Sequence, residues 1–473
     1  MTSRWPVDSG PAFPPITVLH SRLLTGSLTS TELTTECLNR IAEQNEQLRA
    51  VLAVDPTALD QAAVADRRLR DGRPRGLLDG IPVLVKDNID TAGLATTCGS
   101  RLLLDRPPAR DAEVVRLLRE AGAVLLGKTN LSEWANFRST KSTEGWSAVG
   151  GQTRNPYLLA HSPGGSSSGS AVAVAAGMAP LALGTDTDGS VVAPAGLCGV
   201  VGVKPEPGVL PLAGVCATSD WQDAVGLLAL RITDAAAALG VLTGVLDAPM
   251  NVPSADELRI GLWQIPRAPA PVRETMELVA TELAAAGVST VPFELPFDQQ
   301  LLVDGMLALT AGFRPMLEAY LRTRPGAPAS LDELIAANAA DPVELSLFGQ
   351  DLFEQAALIG ADERCEAEQL RERVRSAAAH SIETVMFRYG IDAILAPSNE
   401  PAWRLDYELG DPFPLTSSSP SSLARFPNLS VPAGEPGDLP IGISMFGPPT
   451  LRELLPMALA IEPICSAVRL PIR

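Results

Sequence analysis

The sequence predicts an α/β fold, a sheet covered by helices. Short apolar runs rich in branched residues, Ile81–Val85 and Ala123–Leu126 among them, read as buried strands. Segments with apolar residues three and four positions apart alternate with those runs. Hydrophobic residues make up 46% and charged residues 19%, ample for a core and leaving little room for disorder. At ~150 residues per domain, 473 residues is material for about three domains, and a single large α/β domain also accommodates it.

Taken in order, Thr29 and Glu32 form a T-x-x-E capping box, followed by Leu33, Cys37, Leu38 and Ile41 on one helix face. Asp55 is the expected N-cap of a second helix, with Pro56 at its first position and Gly72 at its end. Ile81–Val85 then runs as a strand into the polar turn Lys86-Asp87-Asn88. A helix from Asp111 carries Val114, Val115, Leu117 and Leu118, and Gly122 separates it from the strand Ala123–Leu126. Between Gly150 and Gly202 lies a tract of Gly, Ser, Ala and Thr with few charges. Beyond it the pattern gives a helix after Thr233, a strand at Leu258–Trp263 and helices from the 270s to the 380s, with Asp362–Arg375 as a solvated face. Ile391–Leu395 and Ile441–Met445 read as strands, Thr416–Ser422 as a Ser/Pro turn, and Leu451–Ile461 as a closing helix.

The net charge of −18 repels phosphate backbones and counts against nucleic acid as a partner. His20, His161 and His380 are far apart, and none lies beside paired cysteines, so no metal site is expected. The usual histidine base is therefore missing from the candidate chemistry. Cys37, Cys98, Cys198, Cys216, Cys365 and Cys465 are scattered, as reduced, mostly buried thiols would be. Met1–Pro15 holds four prolines and no apolar core of a signal peptide. The apolar stretch Ser170–Gly184 is broken by Gly177 and Pro180, short of the ~20 residues of a membrane span. The expected address is the cytoplasm.

Gly122-Ala-Val-Leu-Leu-Gly127-Lys128-Thr129 fits the phosphate-loop pattern letter for letter. Its four variable positions are apolar and strand-forming, however, so their N–H groups belong to a sheet ladder rather than to a phosphate. The Lys128-Thr129-Asn130 end reads as a helix cap instead. The tract Pro163-Gly-Gly-Ser166-Ser-Ser-Gly-Ser170 opens a small-residue helix, and Gly184-Thr-Asp-Thr-Asp188-Gly189-Ser190 follows it. Glycine-flanked turns let backbone approach a ligand, and adjacent N–H groups there can converge on one oxygen. A serine-rich helix cap and a tight turn remain the plain alternative. Lys86 closes an apolar strand, where an ammonium loses hydration and a neutral amine becomes accessible. A neutral lysine can deprotonate a serine. Pairing of Lys86 with Asp87 or Asp90 is the competing reading.

Four ordered blocks resemble the amidase signature family. They are Gly80-Ile-Pro-Val-Leu-Val-Lys86-Asp-Asn88, Gly127-Lys-Thr-Asn-Leu-Ser-Glu-Trp134, Gly164-Gly-Ser166-Ser-Ser-Gly-Ser170 and Gly184-Thr-Asp-Thr-Asp-Gly-Ser190. The likeness runs from about residue 15 to Glu462. The two serines stand 24 residues apart and the lysine 80 before the first, as in the family's Ser–cis-Ser–Lys triad. The resemblance implies Ser190 as nucleophile, Ser166 as bridging serine on a cis peptide, and Lys86 as base. It implies an oxyanion hole from the backbone N–H groups of Thr187, Asp188, Gly189 and Ser190, with no cofactor and no metal.

Two departures stand out. Val192 occupies the place of an arginine in many members, and Asp188 that of a glycine. With Asn130–Arg138 and Gly150–Pro156, they resemble the peptide amidase branch rather than the glutamine-hydrolysing subunit of the tRNA-dependent amidotransferase.

The implied fold is a single domain with a mixed, twisted sheet covered by helices on both faces. Its expected parts are an N-terminal helical segment (1–70), a core with the triad (71–250), a variable, helical, cap-like portion (251–390) and C-terminal strands and helix (391–473). The implied reaction is hydrolysis of a carboxylic amide C–N bond through an acyl-enzyme, by a monomer or homodimer acting on a small-molecule or peptide amide. The alternatives are a glutamine-hydrolysing subunit of an amidotransferase and a catalytically degenerate scaffold. Specificity is expected from Trp403, the 416–422 loop and parts of 300–360.

Overall fold

The computed structural model describes residues 12–244, 250–412, 415, 417–433 and 439–468. Among the described residues, thirteen strands are β1 (Val51–Val54), β2 (Pro82–Lys86), β3 (Val124–Thr129), β4 (Trp146–Ser147), β5 (Gly151–Gln152), β6 (Leu181–Asp186) and β7 (Val201–Lys204), then β8 (Ala224–Ala229), β9 (Arg259–Trp263), β10 (Ser289–Phe293), β11 (Ala393–Pro397), β12 (Asn428–Pro432) and β13 (Gly442–Phe446). Eleven of them form one mixed sheet in the order β1-β3-β2-β6-β8-β7-β12-β13-β11-β9-β10, and β4 pairs with β5 alone. The parallel pairs are β3–β2, β2–β6, β11–β9 and β9–β10. Every residue of β2, β3, β6, β7 and β8 is buried. Helices therefore cover these strands on both faces, and their apolar runs follow from that.

The capping box at Thr29 forms as expected, at the start of the helix Ser30–Leu48. The second helix begins at Ala58, two residues later than expected. Asp55 still organises its start, accepting hydrogen bonds from Thr57 N–H (2.8 Å), Thr57 Oγ1 (2.7 Å) and Gln61 Nε2 (2.9 Å). The phosphate-loop lookalike is strand: β3 runs through Gly127–Thr129, and Lys128 is buried with its ammonium directed at Ile89 O and Thr96 Oγ1. The helix cap read at Thr129-Asn130 is corrected. Thr129 ends the strand, Asn130 N–H donates to Ala50 O, and a short 3-10 turn starts only at Glu133.

The middle of the chain is not helix alone. β9 and β10 extend the same sheet at one edge, while the helices Gln300–Leu321, Leu331–Ala340 and Asp351–Leu358 bury a separate apolar cluster with Cys98, Trp134, Phe137 and Cys216. Tyr320 OH donates to Asp90 Oδ1 at 2.8 Å, tying this helical layer to the turn after β2. The segment 362–375 is the outer part of the helix Ala361–Tyr389, with Ala367 and Val374 turned inward. Of the expected turn Thr416–Ser422, Thr416 lies outside the described residues, and the later part is corrected: Ser419–Ala424 is a buried helix. All six cysteines are free and only Cys365 is exposed. Among the described residues, no helix is long and apolar enough to cross a membrane.

The helix Ser168–Ala175 is buried throughout its first seven residues and lies across β1, β2, β3, β6 and β8. Small residues permit that approach. A Cβ on Gly169 would sit 2.3 Å from Ala50 O and 2.6 Å from both N and O of Asn130, all backbone. Gly169→Ala is expected to cost about 3 kcal/mol, measurable by chemical denaturation. A loss below about 1 kcal/mol would mean that β1 and the turn after β3 yield to the methyl.

Candidate active site

The parallel register of β2 and β6 pairs Val83 with Leu181 and Val85 with Leu183, so both strands end on the same sheet edge. Carboxyl ends of adjacent parallel strands are where α/β sheets hold ligands. β2 delivers Lys86 there, and β6 delivers Thr185 and Asp186 before the turn to Ser190. Gly184 lets the neighbouring serine loop approach, since a Cβ on it would come 2.7 Å from Ser167 Oγ.

Lys86 is fully buried, and its Nζ meets four oxygens: Ser166 Oγ at 2.8 Å, Thr185 Oγ1 at 2.9 Å, Ser167 Oγ at 3.0 Å and Thr185 O at 3.2 Å. Loss of hydration lowers its pKa to about 7, against the opposing charges of Asp186 and Asp223. Neither competing partner holds it. Asp87 accepts from Thr97 N–H at 3.0 Å and lies 3.6 Å from Lys128, while Asp90 takes Tyr320 OH and lies 3.4 Å from Arg324.

Ser166 is buried and follows a cis peptide bond from Gly165. Ser132 N–H donates to Ser166 O at 3.1 Å, and Ser167 N–H to Ser190 O at 3.0 Å, which joins the two serine turns. The plain helix-cap alternative does not describe the tract. Ser167 occupies the N-cap without a side-chain cap bond, and its hydroxyl donates to Thr185 O at 3.0 Å. Ser190 is half-buried.

Asp186 shapes the turn beyond β6. Its carboxylate accepts from Gly189 N–H at 2.9 Å and Val191 N–H at 2.6 Å, with Lys204 Nζ 4.0 Å away. The expected donor Gly189 is thus already engaged. No hydrogen bond occupies the N–H groups of Thr187, Asp188 or Ser190 among the described residues. Gln222 Nε2 donates to Thr187 O at 2.8 Å, fixing the turn from the other side. Val192 is buried at the start of the helix Val192–Leu197, a site without need of a charge.

Several contributors escaped the sequence reading. Thr185, Ser167 and Asn88 lie inside the motif blocks, and only their roles were hidden. Asn88 Nδ2 donates to Thr185 Oγ1 at 3.0 Å. Ser418 and Ser419 lie in the 416–422 stretch expected to bear on specificity, but their partner was not foreseen: their hydroxyls donate to Asp188 Oδ1 and Oδ2 at 2.6 and 2.7 Å. Trp403, named from the sequence for specificity, donates from Nε1 to Asp411 Oδ1 at 2.7 Å. Asp411 Oδ2 accepts from Glu144 N–H at 2.6 Å, close beside Gly165. Burial and the nearby Asp411 raise the Glu144 carboxyl to about 8. Among the described residues, no three His, Cys, Asp or Glu side chains gather where they could hold a metal ion.

The geometry has relatives. A family model described as Amidase matches residues 32–455. The native peptide amidase of Stenotrophomonas maltophilia superposes with a TM-score of 0.87 at 40% identity, covering 97% of this chain and 98% of that one. A protein of Arabidopsis thaliana named a probable amidase is 35% identical over 90% of this chain and 86% of its own length. A component of the glutamyl-tRNA(Gln) amidotransferase from Thermosynechococcus vestitus is 34% identical over 91% of this chain and 93% of its own. The chain belongs to the amidase signature family, hydrolases of carboxamide C–N bonds.

Proposed function

We propose that the protein hydrolyses a peptide amide or small-molecule amide through an acyl-enzyme on Ser190, with Ser166 as proton bridge and Lys86 as base. The observation that carries this reading is the buried amine of Lys86, 2.8 Å from Ser166 Oγ. Thr185 O can only accept, and Ser167 Oγ spends its own hydrogen on Thr185 O. The two hydrogens of a neutral amine therefore have acceptors, and its lone pair faces the hydroxyls of Ser166 and Thr185.

In the proposed reaction, Lys86 takes the Ser166 proton as Ser166 takes the Ser190 proton, and Ser190 Oγ attacks the amide carbon. The N–H groups of Thr187, Asp188 and Ser190 receive the oxyanion, Gly189 being held by Asp186. On collapse, Ser166 protonates the leaving nitrogen and recovers a proton from Lys86. Water then repeats the relay on the acyl-enzyme, releasing acid and free Ser190. Labelling with a fluorophosphonate tests the assignment by mass spectrometry of the modified peptide. Ser190 is expected to carry the adduct, and any other residue in its place refutes the reading.

The base requires the neutral amine, so activity should rise with pH through about 7, where Lys86 loses its proton. Roughly a tenth of the amine is neutral one unit below that value and nine tenths one unit above. The kcat/KM profile is expected to fall tenfold per unit on its acid side. A flat profile between pH 5.5 and 7 would remove Lys86 as the titrating base.

The amidotransferase relatives supply a second reading, a glutaminase that passes ammonia to a partner. Glutamine hydrolysis that appears only with a co-purifying protein supports it, and turnover of assorted amides by the isolated chain rejects it.

A further inference from the structure

Asp188 precedes the proposed nucleophile by two residues, and its side chain has no part in the relay above. The residue is exposed, while its neighbour Gly189 is buried and Ser190 half-buried. Both carboxylate oxygens are held from a remote part of the chain, Oδ1 by Ser418 Oγ at 2.6 Å and Oδ2 by Ser419 Oγ at 2.7 Å. These serines are themselves buried, so the carboxylate has one orientation. No lysine or arginine nitrogen lies within 4.0 Å of it among the described residues, and Lys204 beneath the turn is taken up by Ser422 and Asp186. The protein packed around the carboxyl pushes its pKa up, against the two serine donors and the more distant charge of Lys204. Each oxygen keeps a lone pair beyond the one its serine uses. A fixed, uncompensated anion in an open site calls for a cation from the ligand.

We infer that Asp188 is a specificity-determining residue, which binds a protonated amino group on the acyl part of the substrate and so directs the enzyme to α-amino acid amides. The inference rests on the acyl-enzyme reading. The Asp188 N–H is one of the donors proposed for the oxyanion, and on that reading its carboxylate, on the same residue, lies near the α-carbon of the acyl group. An ammonium on the α-carbon falls in hydrogen-bond range of about 3 Å. One at the end of a long side chain overshoots.

Three amides test this: an α-amino acid amide, its N-acetyl derivative, and the analogue lacking the α-nitrogen. The wild type should prefer the first. In Asp188→Asn, the kcat/KM ratio of the amino amide to the deamino analogue should fall about 10- to 100-fold, the worth of one charged hydrogen bond. Ser418→Ala combined with Ser419→Ala, which frees the carboxylate without removing it, should lower the same ratio less. The second variant also decides the matter if Asp188→Asn no longer takes the fluorophosphonate label. A ratio unchanged in both variants overturns the inference, as does a fall confined to the N-acetyl amide, which would point to a neutral N–H donor. A wild type that hydrolyses none of the three and takes no label fails the acyl-enzyme reading instead.

Discussion

Ser190→Ala is expected to lose at least about three orders of magnitude in kcat and all fluorophosphonate labelling, while folding as the wild type does. The substitution removes one oxygen from a half-buried side chain and leaves the Ser190 carbonyl accepting from Ser167 N–H. Stability should therefore stay within about 0.5 kcal/mol of the wild type by chemical denaturation. That separation makes the test sharp, because a loss of activity and labelling without a loss of fold is the result expected of a missing nucleophile. What survives would reflect binding and the proposed oxyanion donors, the N–H groups at positions 187, 188 and 190. A variant that keeps a tenth of wild-type turnover, or still takes the label, places the acyl group elsewhere.

Lys86→Met should cut kcat about a thousandfold, in the range of a lost general base. Methionine nearly matches the lysine stem and fits the buried strand end, so the chief loss is the amine with its four oxygen contacts. Stability should respond in a way that activity does not. The folded-state pKa of about 7 lies below the ordinary 10.5, so between those values the unfolded chain holds more protons than the folded one. The Lys86 contribution therefore makes wild-type stability rise with pH across that window, and the full penalty of a buried ammonium applies below it. The methionine variant should lack this component of the slope, read from denaturation midpoints at pH 6, 8 and 10. A variant that keeps more than a tenth of wild-type kcat removes Lys86 from the mechanism.

Much of the fold was legible because its signals are local. The T-x-x-E box at Thr29, the branched run before Lys86, and the helix–glycine–strand succession from residue 113 to 129 state their structure within a few residues. β7, β8 and β12 were not legible. Ala-Val-Gly-Leu-Leu-Ala in β8 has no alternation, since both its faces are covered, and such a run reads as well in a helix. β12, Asn-Leu-Ser-Val-Pro, exists because β7 and β13 pair with it on either side. At Ser418 and Ser419 the deciding partner, Asp188, lies 230 and 231 residues away. No window of sequence contains that contact.

The sequence by itself determined which chemical groups are available and in what order: a lysine closing a dry strand, two glycine-flanked serines, no histidine among them. Only the tertiary structure decided their company. The register of β2 on β6 brings Thr185 beside the amine, Asp186 takes up the Gly189 N–H, and a distant pair of serines holds the Asp188 carboxylate. The physical reason is range. Backbone periodicity and caps act over one or two turns of chain, whereas desolvation of an amine and orientation of a carboxylate arise from surfaces that meet only once the sheet has closed around them.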